Sequence, residues 1–246
     1  MASTAPGPSR PRSRSAAGLP AVTPDRVIEA ALRLTADNGL ESWTLRQLAA
    51  AVDAYPAVIY HHVGDRETVA RAVVDRVTAM FPLPSGDLTW RRWWEELLPG
   101  LREVLRQYPG VARRLSLFGP TAEVAGRTVD TGMRLLLDAG FGEESMMVYS
   151  LLIGTAFQLV AVEDDRMGDE LTRQRYGRDW QAERGNTGMP GLAAMGKAVH
   201  DILESGRDYL SEMYDFTVER CLDGVEARLG ALTSGPSPLR TDVTEV

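Results

Sequence analysis

The side chains with the most chemical reach in this 246-residue chain gather in one stretch, Thr44 to Arg66, TLRQLAAAVDAYPAVIYHHVGDR. It holds two of the three histidines, His61 and His62, together with Tyr55, Tyr60, Arg46, Arg66 and the hydroxyl of Thr44. A His-His-x-x-Asp run raises the question of a metal, but neighbouring residues on a helix point about 100° apart, so the two imidazoles do not face one ion. Nucleophilic catalysis finds no set of groups. Cys221 is the only cysteine and reads as a small helix residue, and His200, the only other histidine, stands in no motif. There is no Gly-rich phosphate loop and no Cys/His metal spacing, so no cofactor is expected and the chain does not read as an enzyme. What these residue types do suit is nucleic acid. Hydroxyls, cations and helix N-termini hold phosphates, while small apolar side chains touch a thymine methyl.

Two short helices and a tight turn are expected to position them. Thr44 and Gln47 form a capping box for the first helix, and Leu45, Leu48, Ala49 and Val52 give it one apolar face. Asp53 to Tyr55 break the pattern. Pro56, with φ preset and no N–H to satisfy, suits the first position of a second helix that runs to His61 or His62, with Ile59 turned inward. Gly64 stops it and Asp65 caps the next. A recognition helix of under two turns, held against a first and rich in outward polar and aromatic groups, has the form of a helix-turn-helix. Tyr60 also has a plainer reading, as a core aromatic with its hydroxyl at the surface.

Around this element the chain reads as all-α. Thr23-Pro24 opens a helix ending at Asn38-Gly39, and a connector runs from Asp65 to about Met80 before Pro82 and Pro84. Residues 21–80 thus form a compact head. Residues 87–230 read as a helical body: 88–108 with a bend at Pro99-Gly100, 111–118, 121–139 capped by Thr121, 143–164, a charged mobile loop at 165–190 with one short helix, 191–204 and 206–229. Residues 1–20, with Arg10, Arg12 and Arg14 among Pro, Ser and Gly, are expected to be a disordered arm, either a solvated tail or a basic strand reaching phosphates. Residues 231–246 are expected to be a disordered tail.

Composition is that of a soluble globular protein, 44% hydrophobic and 25% charged. No apolar run reaches the ~18 residues of a membrane span, and no signal-peptide pattern opens the chain, so no membrane partner and a cytoplasmic location are expected. The net charge of −7 is uneven: residues 1–80 carry +1 and the remainder −8. Even +1 is a weak electrostatic footprint for a nucleic-acid binder.

Thr23 to Val69 resembles the DNA-binding domain of the TetR family of transcriptional regulators. The matching residues are Ala30-Ala31, Gly39, Thr44, Leu48-Ala49, Ile59-Tyr60, His62 and Asp65-Arg66. Further on, Tyr214, Asp215 and Phe216 followed by Leu222-Asp223-Gly224 resemble the last helix of tetracycline-repressor-type C-terminal domains. The resemblance implies that Thr44 offers its hydroxyl and helix N-terminus to a phosphate and that Arg46 faces groove or backbone. It implies too that Pro56, Ala57 and His61 meet base edges, and that Tyr60, His62 and Arg66 grip phosphates. Two positions depart from the family: Asp53 stands where Gly is usual in the turn, and Tyr55 where Ser usually caps the short helix. Tyr55 is therefore a further candidate for DNA contact.

The 143–164 and 206–229 helices carry more apolar surface than one small bundle buries, which a symmetric homodimer with a four-helix interface would absorb. Trp93, Phe118, Met133, Met146, Tyr149, Phe157, Gln158 and His200 suit a mostly apolar pocket with a few orienting hydrogen bonds, although each also reads as ordinary packing. The expected function is a ligand-responsive regulator, a repressor, that binds double-stranded operator DNA as a dimer and is released by a small apolar or aromatic effector. The other reading is a helical small-molecule-binding protein or enzyme whose head no longer binds DNA.

Overall fold

The computed structural model describes residues 21–167 and 170–234, and the expected arm at 1–20 and most of the expected tail lie outside these. Among the described residues there are eleven α-helices and no strand. The first four make the head: α1 (Pro24–Asn38), α2 (Leu45–Ala51), α3 (Pro56–His62) and α4 (Arg66–Thr78). The body comprises α5 (Trp90–Leu105), α6 (Val111–Phe118), α7 (Ala122–Ala139), α8 (Ser145–Met167), α9 (Glu170–Ala182), α10 (Pro190–Ser205) and α11 (Tyr209–Ser234).

Local signals account for most helix ends. Thr23 accepts from the Arg26 amide ahead of Pro24, Asp65 accepts from the Thr68 amide, and Thr89 from the Arg92 amide. Inside the head, Val27, Ala31, Leu48, Ala49, Ile59, Val69 and Val73 close one apolar core. Trp43 is its pillar. It is fully buried, with Nε1 donating to Thr35 Oγ1 at 3.0 Å while that hydroxyl donates to the Ala31 carbonyl at 2.8 Å. Burying both polar groups is tolerable because each has a partner.

Several sequence expectations shift. Thr121 makes no cap bond to its helix; its hydroxyl donates to Asp75 of α4 at 3.0 Å, tying body to connector. Pro99 sits inside a continuous α5. Residues 165–190 contain more helix than a loop with one helix: α8 extends to Met167, α9 follows, and a 3-10 turn spans Glu183–Gly185. The last helix starts at Tyr209 and continues to Ser234, into the expected tail. The segment Gly142–Arg166 is long and apolar enough by composition to cross a membrane, contrary to the reading of its runs, with 33% of its most apolar window buried within the chain. Ser150, Gly154, Thr155 and Gln158 break the run without lowering its mean hydropathy far.

Among the described residues, three sets of polar contacts seat the head on the body. The Leu40 amide donates to the Pro109 carbonyl at 2.8 Å. Arg114 of α6 reaches Glu41 at 2.9 Å and grips both carboxylate oxygens of Glu67. The third is the Thr121–Asp75 bond.

Candidate nucleic-acid interface and effector cavities

Thr44 opens α2 with a full capping box. Its amide donates to Gln47 Oε1 at 2.8 Å and its Oγ1 accepts from the Gln47 amide at 3.3 Å. The Thr44 hydroxyl proton is also used, on Gln47 Oε1 at 2.9 Å, so a phosphate there would displace a local bond. Asp53 takes the turn at φ 54, the single left-handed non-glycine among the described residues. Tyr55 is the N-cap of α3 and makes no side-chain cap bond. Both departures weaken the turn. Asp53→Gly is expected to raise stability by roughly 0.5–1 kcal/mol and Tyr55→Ser by about 1 kcal/mol, read by thermal melting. A fall in stability for Asp53→Gly would mean that the aspartate's own bonding outweighs its backbone strain.

Only Ile59 of α3 is buried, so the other side of this short helix is turned to solvent. Tyr55 is 81% exposed and Tyr60 56%. Arg46, Pro56, Ala57, His61 and His62 are exposed as well, which places eight of the nine expected DNA contacts, Thr44 included, on the open surface of α2 and α3. The two imidazole rings meet edge to face, with 5.3 Å between centroids and 74° between planes. Arg46 has no ion pair among the described residues.

Arg66 is placed differently. Nη2 donates to the Leu40 carbonyl at 2.8 Å and Nε to the Trp43 carbonyl at 3.2 Å. Nη1 pairs with Glu41 at 3.0 Å, and the guanidinium lies 4.9 Å from the Trp43 ring centroid. All of its nitrogens serve the head's own loop, so the side chain acts as an internal strut rather than as a hand for phosphate. Nothing local distinguishes such an arginine, because its acceptors lie more than twenty residues upstream. The network also answers the charge problem. Glu41 and Glu67 would repel DNA, but Arg66 and the body's Arg114 neutralise them, and the Arg114 bonds hold the Glu67 carboxyl below its ordinary pKa.

The eight expected ligand residues do not share one site. Trp93 and Phe157 are buried, Tyr149 is half-buried beside them, and Met133 is half-buried on α7. Phe118 and Met146 are mostly exposed, Gln158 faces outward from α8, and His200 bonds Gln181 on the α9–α10 hairpin. The true cluster is Trp93, Trp94 and Tyr149. Trp94 meets Trp93 and Tyr149 edge to face at 5.1 and 5.2 Å. Gly132 of α7 makes room for it: a Cβ there would lie 2.9 Å from the Tyr149 ring and 3.0 Å from Trp93. The Nε1 atoms of Trp93 and Trp94 are buried without an acceptor among the described residues, and burial pushes the Tyr149 phenol up to about 12, so it stays a neutral donor. Two open cavities lie elsewhere. One of about 940 Å³ between the ends of α8, α9, α10 and α11 is lined by Tyr176, Trp180, Met195, Ile202 and Leu203, none foreseen from sequence. One of about 340 Å³ at the head–body junction is where Phe118 ends, with Arg71, Asp75 and Thr121.

No profile of a known protein family matches the chain. The tetracycline repressor protein class A from transposon 1721 of Escherichia coli is 28% identical over 162 residues, covering 65% of this chain and 74% of that protein. The HTH-type transcriptional repressor DrrR1 of Streptomyces coeruleorubidus is 25% identical over 221 residues, 84% of this chain and 78% of that one. Among solved structures, apo ActR from Streptomyces coelicolor superimposes with a TM-score of 0.70 at 20% identity, over 86% of this chain and 100% of ActR. ActR bound to actinorhodin gives 0.69 over the same shares. The helix-turn-helix geometry of the head and the all-helical body behind it agree with these relatives: the chain is similar in sequence to tetracycline repressors and HTH-type regulators and shares the fold of ActR.

Proposed function

We propose that this chain is a TetR-type transcriptional regulator, a repressor that binds a pseudo-palindromic operator as a homodimer in the cytoplasm and is released by a small apolar or aromatic effector. The observation that carries the reading is the solvent face of α3, where Tyr55, Pro56, Ala57, Tyr60, His61 and His62 have little part in the fold's own core. A short helix that commits one residue to packing and leaves the rest outward is built to be read by, or to read, something else.

Dimerisation is supported by an outward stripe on α8. Met147, Leu151 and Val162 are all about half exposed or more, and Phe216 of α11 adds to it. Apolar stripes of this kind on two long helices fit a four-helix interface between copies. A dimer also gives the two recognition helices the spacing that successive major grooves need. Leu151→Asp is expected to convert a dimer into a monomer in sedimentation at micromolar concentration. A wild-type monomer under those conditions would refute the arrangement.

The apolar and aromatic lining of the cavity of about 940 Å³, with Tyr176, Trp180, Met195, Ile202 and Leu203, supports an apolar or aromatic effector. The bound form of ActR with actinorhodin shows a relative of this fold holding a small molecule. Release would be a population shift, in which the effector prefers the conformation whose heads are misplaced for the operator. Mobility shift with genomic fragments from upstream of the chain's own gene tests the whole reading. Binding that weakens with salt is the expected result, and no binding to any fragment at low salt would favour a head that has lost its DNA.

A further inference from the structure

One of the contacts that seat the head on the body is made by a turn. The Pro109 carbonyl accepts from the Leu40 amide at 2.8 Å, and the adjoining Gly110 amide donates to Asp164 Oδ2 of α8 at 2.9 Å. Gly110 is left-handed at φ 89, and a Cβ on it would lie 3.3 Å from Leu40 Cβ, so a side chain there would be strained and would crowd Leu40. On the far side of Leu40, its carbonyl holds Arg66 Nη2 at 2.8 Å. Arg66 begins α4 only four residues after the end of α3. Hydrogen bonds therefore link α8, the Pro109–Gly110 turn, the Gly39–Leu40 loop and the start of α4, and the short backbone segment before Arg66 leads to the end of the recognition helix.

We propose that Asp164 is a positioning residue for DNA binding: from α8 it clamps the Pro109–Gly110 turn on which the head is seated, and so ties the placement of α3 to α8 by a route separate from the length of α4. The inference rests on the reading of the head as a DNA-binding element. α8 is also the helix that carries the outward apolar stripe and Tyr149, so a shift there moves the Asp164 carboxylate and, with it, the seat.

The surroundings make this clamp responsive. Asp164 is flanked on its own helix by Glu163 and Asp165. Glu163 is paired with Arg102 and Arg106 of α5, Asp165 with Arg113 of α6, and no cation among the described residues is bonded to Asp164 itself. Burial first, then the neighbouring Glu163 and Asp165 charges, push the Asp164 carboxyl up to about 6 against the pull of the Gly110 bond. Above that pH the turn is held by a carboxylate, a stronger acceptor than the neutral acid present below it. Because the folded value lies above the ordinary one, ionised Asp164 costs stability, and that cost vanishes as pH falls through 6 toward 4.

Amide hydrogen exchange on the full chain, corrected for intrinsic rates, tests the seat without DNA. In the wild type, protection of both the Gly110 and Leu40 amides is expected to fall several-fold between pH 7.5 and pH 5. In Asp164→Asn both should already be low at pH 7.5 and change little with pH, while the melting temperature at pH 7.5 rises. A merely structural aspartate would lose protection and stability together. Operator affinity should drop about 5-fold or more in Asp164→Asn at pH 7.5 and converge with wild type at pH 5. Leu40 protection that stays constant when that of Gly110 is lost would overturn the proposal, and the wild-type pH series alone can give that result. A wild type that binds no DNA, with the exchange pattern intact, would refute the DNA reading and leave the clamp standing.

Discussion

Replacing Arg102 by alanine is expected to destabilise the protein by about 3–5 kcal/mol, the range for stripping one partner from a buried ion pair. Arg102 and Glu163 are each only 6% exposed. Nε and Nη2 of Arg102 meet the two carboxylate oxygens at 3.2 and 3.1 Å, Nη2 also donates to Ser211 Oγ at 2.8 Å, and the guanidinium lies 4.8 Å from the Tyr214 ring centroid. Tyr214 in turn donates its hydroxyl to the Leu98 carbonyl at 2.7 Å. One side chain thus ties α5, α8 and α11 together. Its loss leaves the Glu163 carboxylate buried with Arg106 alone, 3.2 Å away on a more exposed side chain. Changing both partners at once, Arg102→Met with Glu163→Met, should cost much less than the single change, because no charge is left stranded. Denaturant unfolding of the two variants beside the wild type measures this. A cost under about 1 kcal/mol for Arg102→Ala would show that Arg106 takes over the pairing.

The second large effect concerns the operator. Arg46 is an exposed cation, without an ion pair among the described residues, on the face shared with α3, so Arg46→Ala is expected to weaken binding to all sequences alike. Removing one phosphate-neutralising cation lowers the salt slope by about 1, and a dimer carries two copies of the change. His61→Ala should behave differently. If it meets a base edge, binding falls by about 1–3 kcal/mol per half-site, at least roughly 30-fold for the pair, and preference relaxes at one position in each half-site. Fluorescence anisotropy over a salt series, with operators substituted base by base, separates the two. A His61→Ala variant with unchanged base preference and a shallower salt slope would reassign that histidine to the backbone.

The clarity of the sequence varied with the range of the interaction. The Thr44–Gln47 capping box, Pro56 at the first position of α3, the strained Asp53 turn and the missing cap at Tyr55 were all legible, since each is settled within about four residues. The role of Trp43 as the pillar of the head is not legible locally, because it stands in a loop and its partner Thr35 lies eight residues back on α1. Arg66 looked like a phosphate contact because arginines near recognition helices so often are. Its acceptors, the carbonyls of Leu40 and Trp43, are 26 and 23 residues away, and only folding brings them together. The expected ligand residues are scattered for a related reason. Aromatic and thioether side chains on amphipathic helices look alike in sequence, and helix rotation decides that Trp93 and Tyr149 meet at Gly132 while Met146 and Gln158 face outward.

What the sequence determined by itself, then, is an all-helical chain with a helix-turn-helix near its start, since helix periodicity and caps are written in neighbouring residues. Tertiary structure alone decided which acids on the head are neutralised, that Arg66 is a strut, that Arg102 and Glu163 pair across 61 residues, and that the head rests on a turn held from α8. Those outcomes depend on how helices pack, and an ion pair or a hydrogen bond exists only once packing brings both of its ends within about 3 Å.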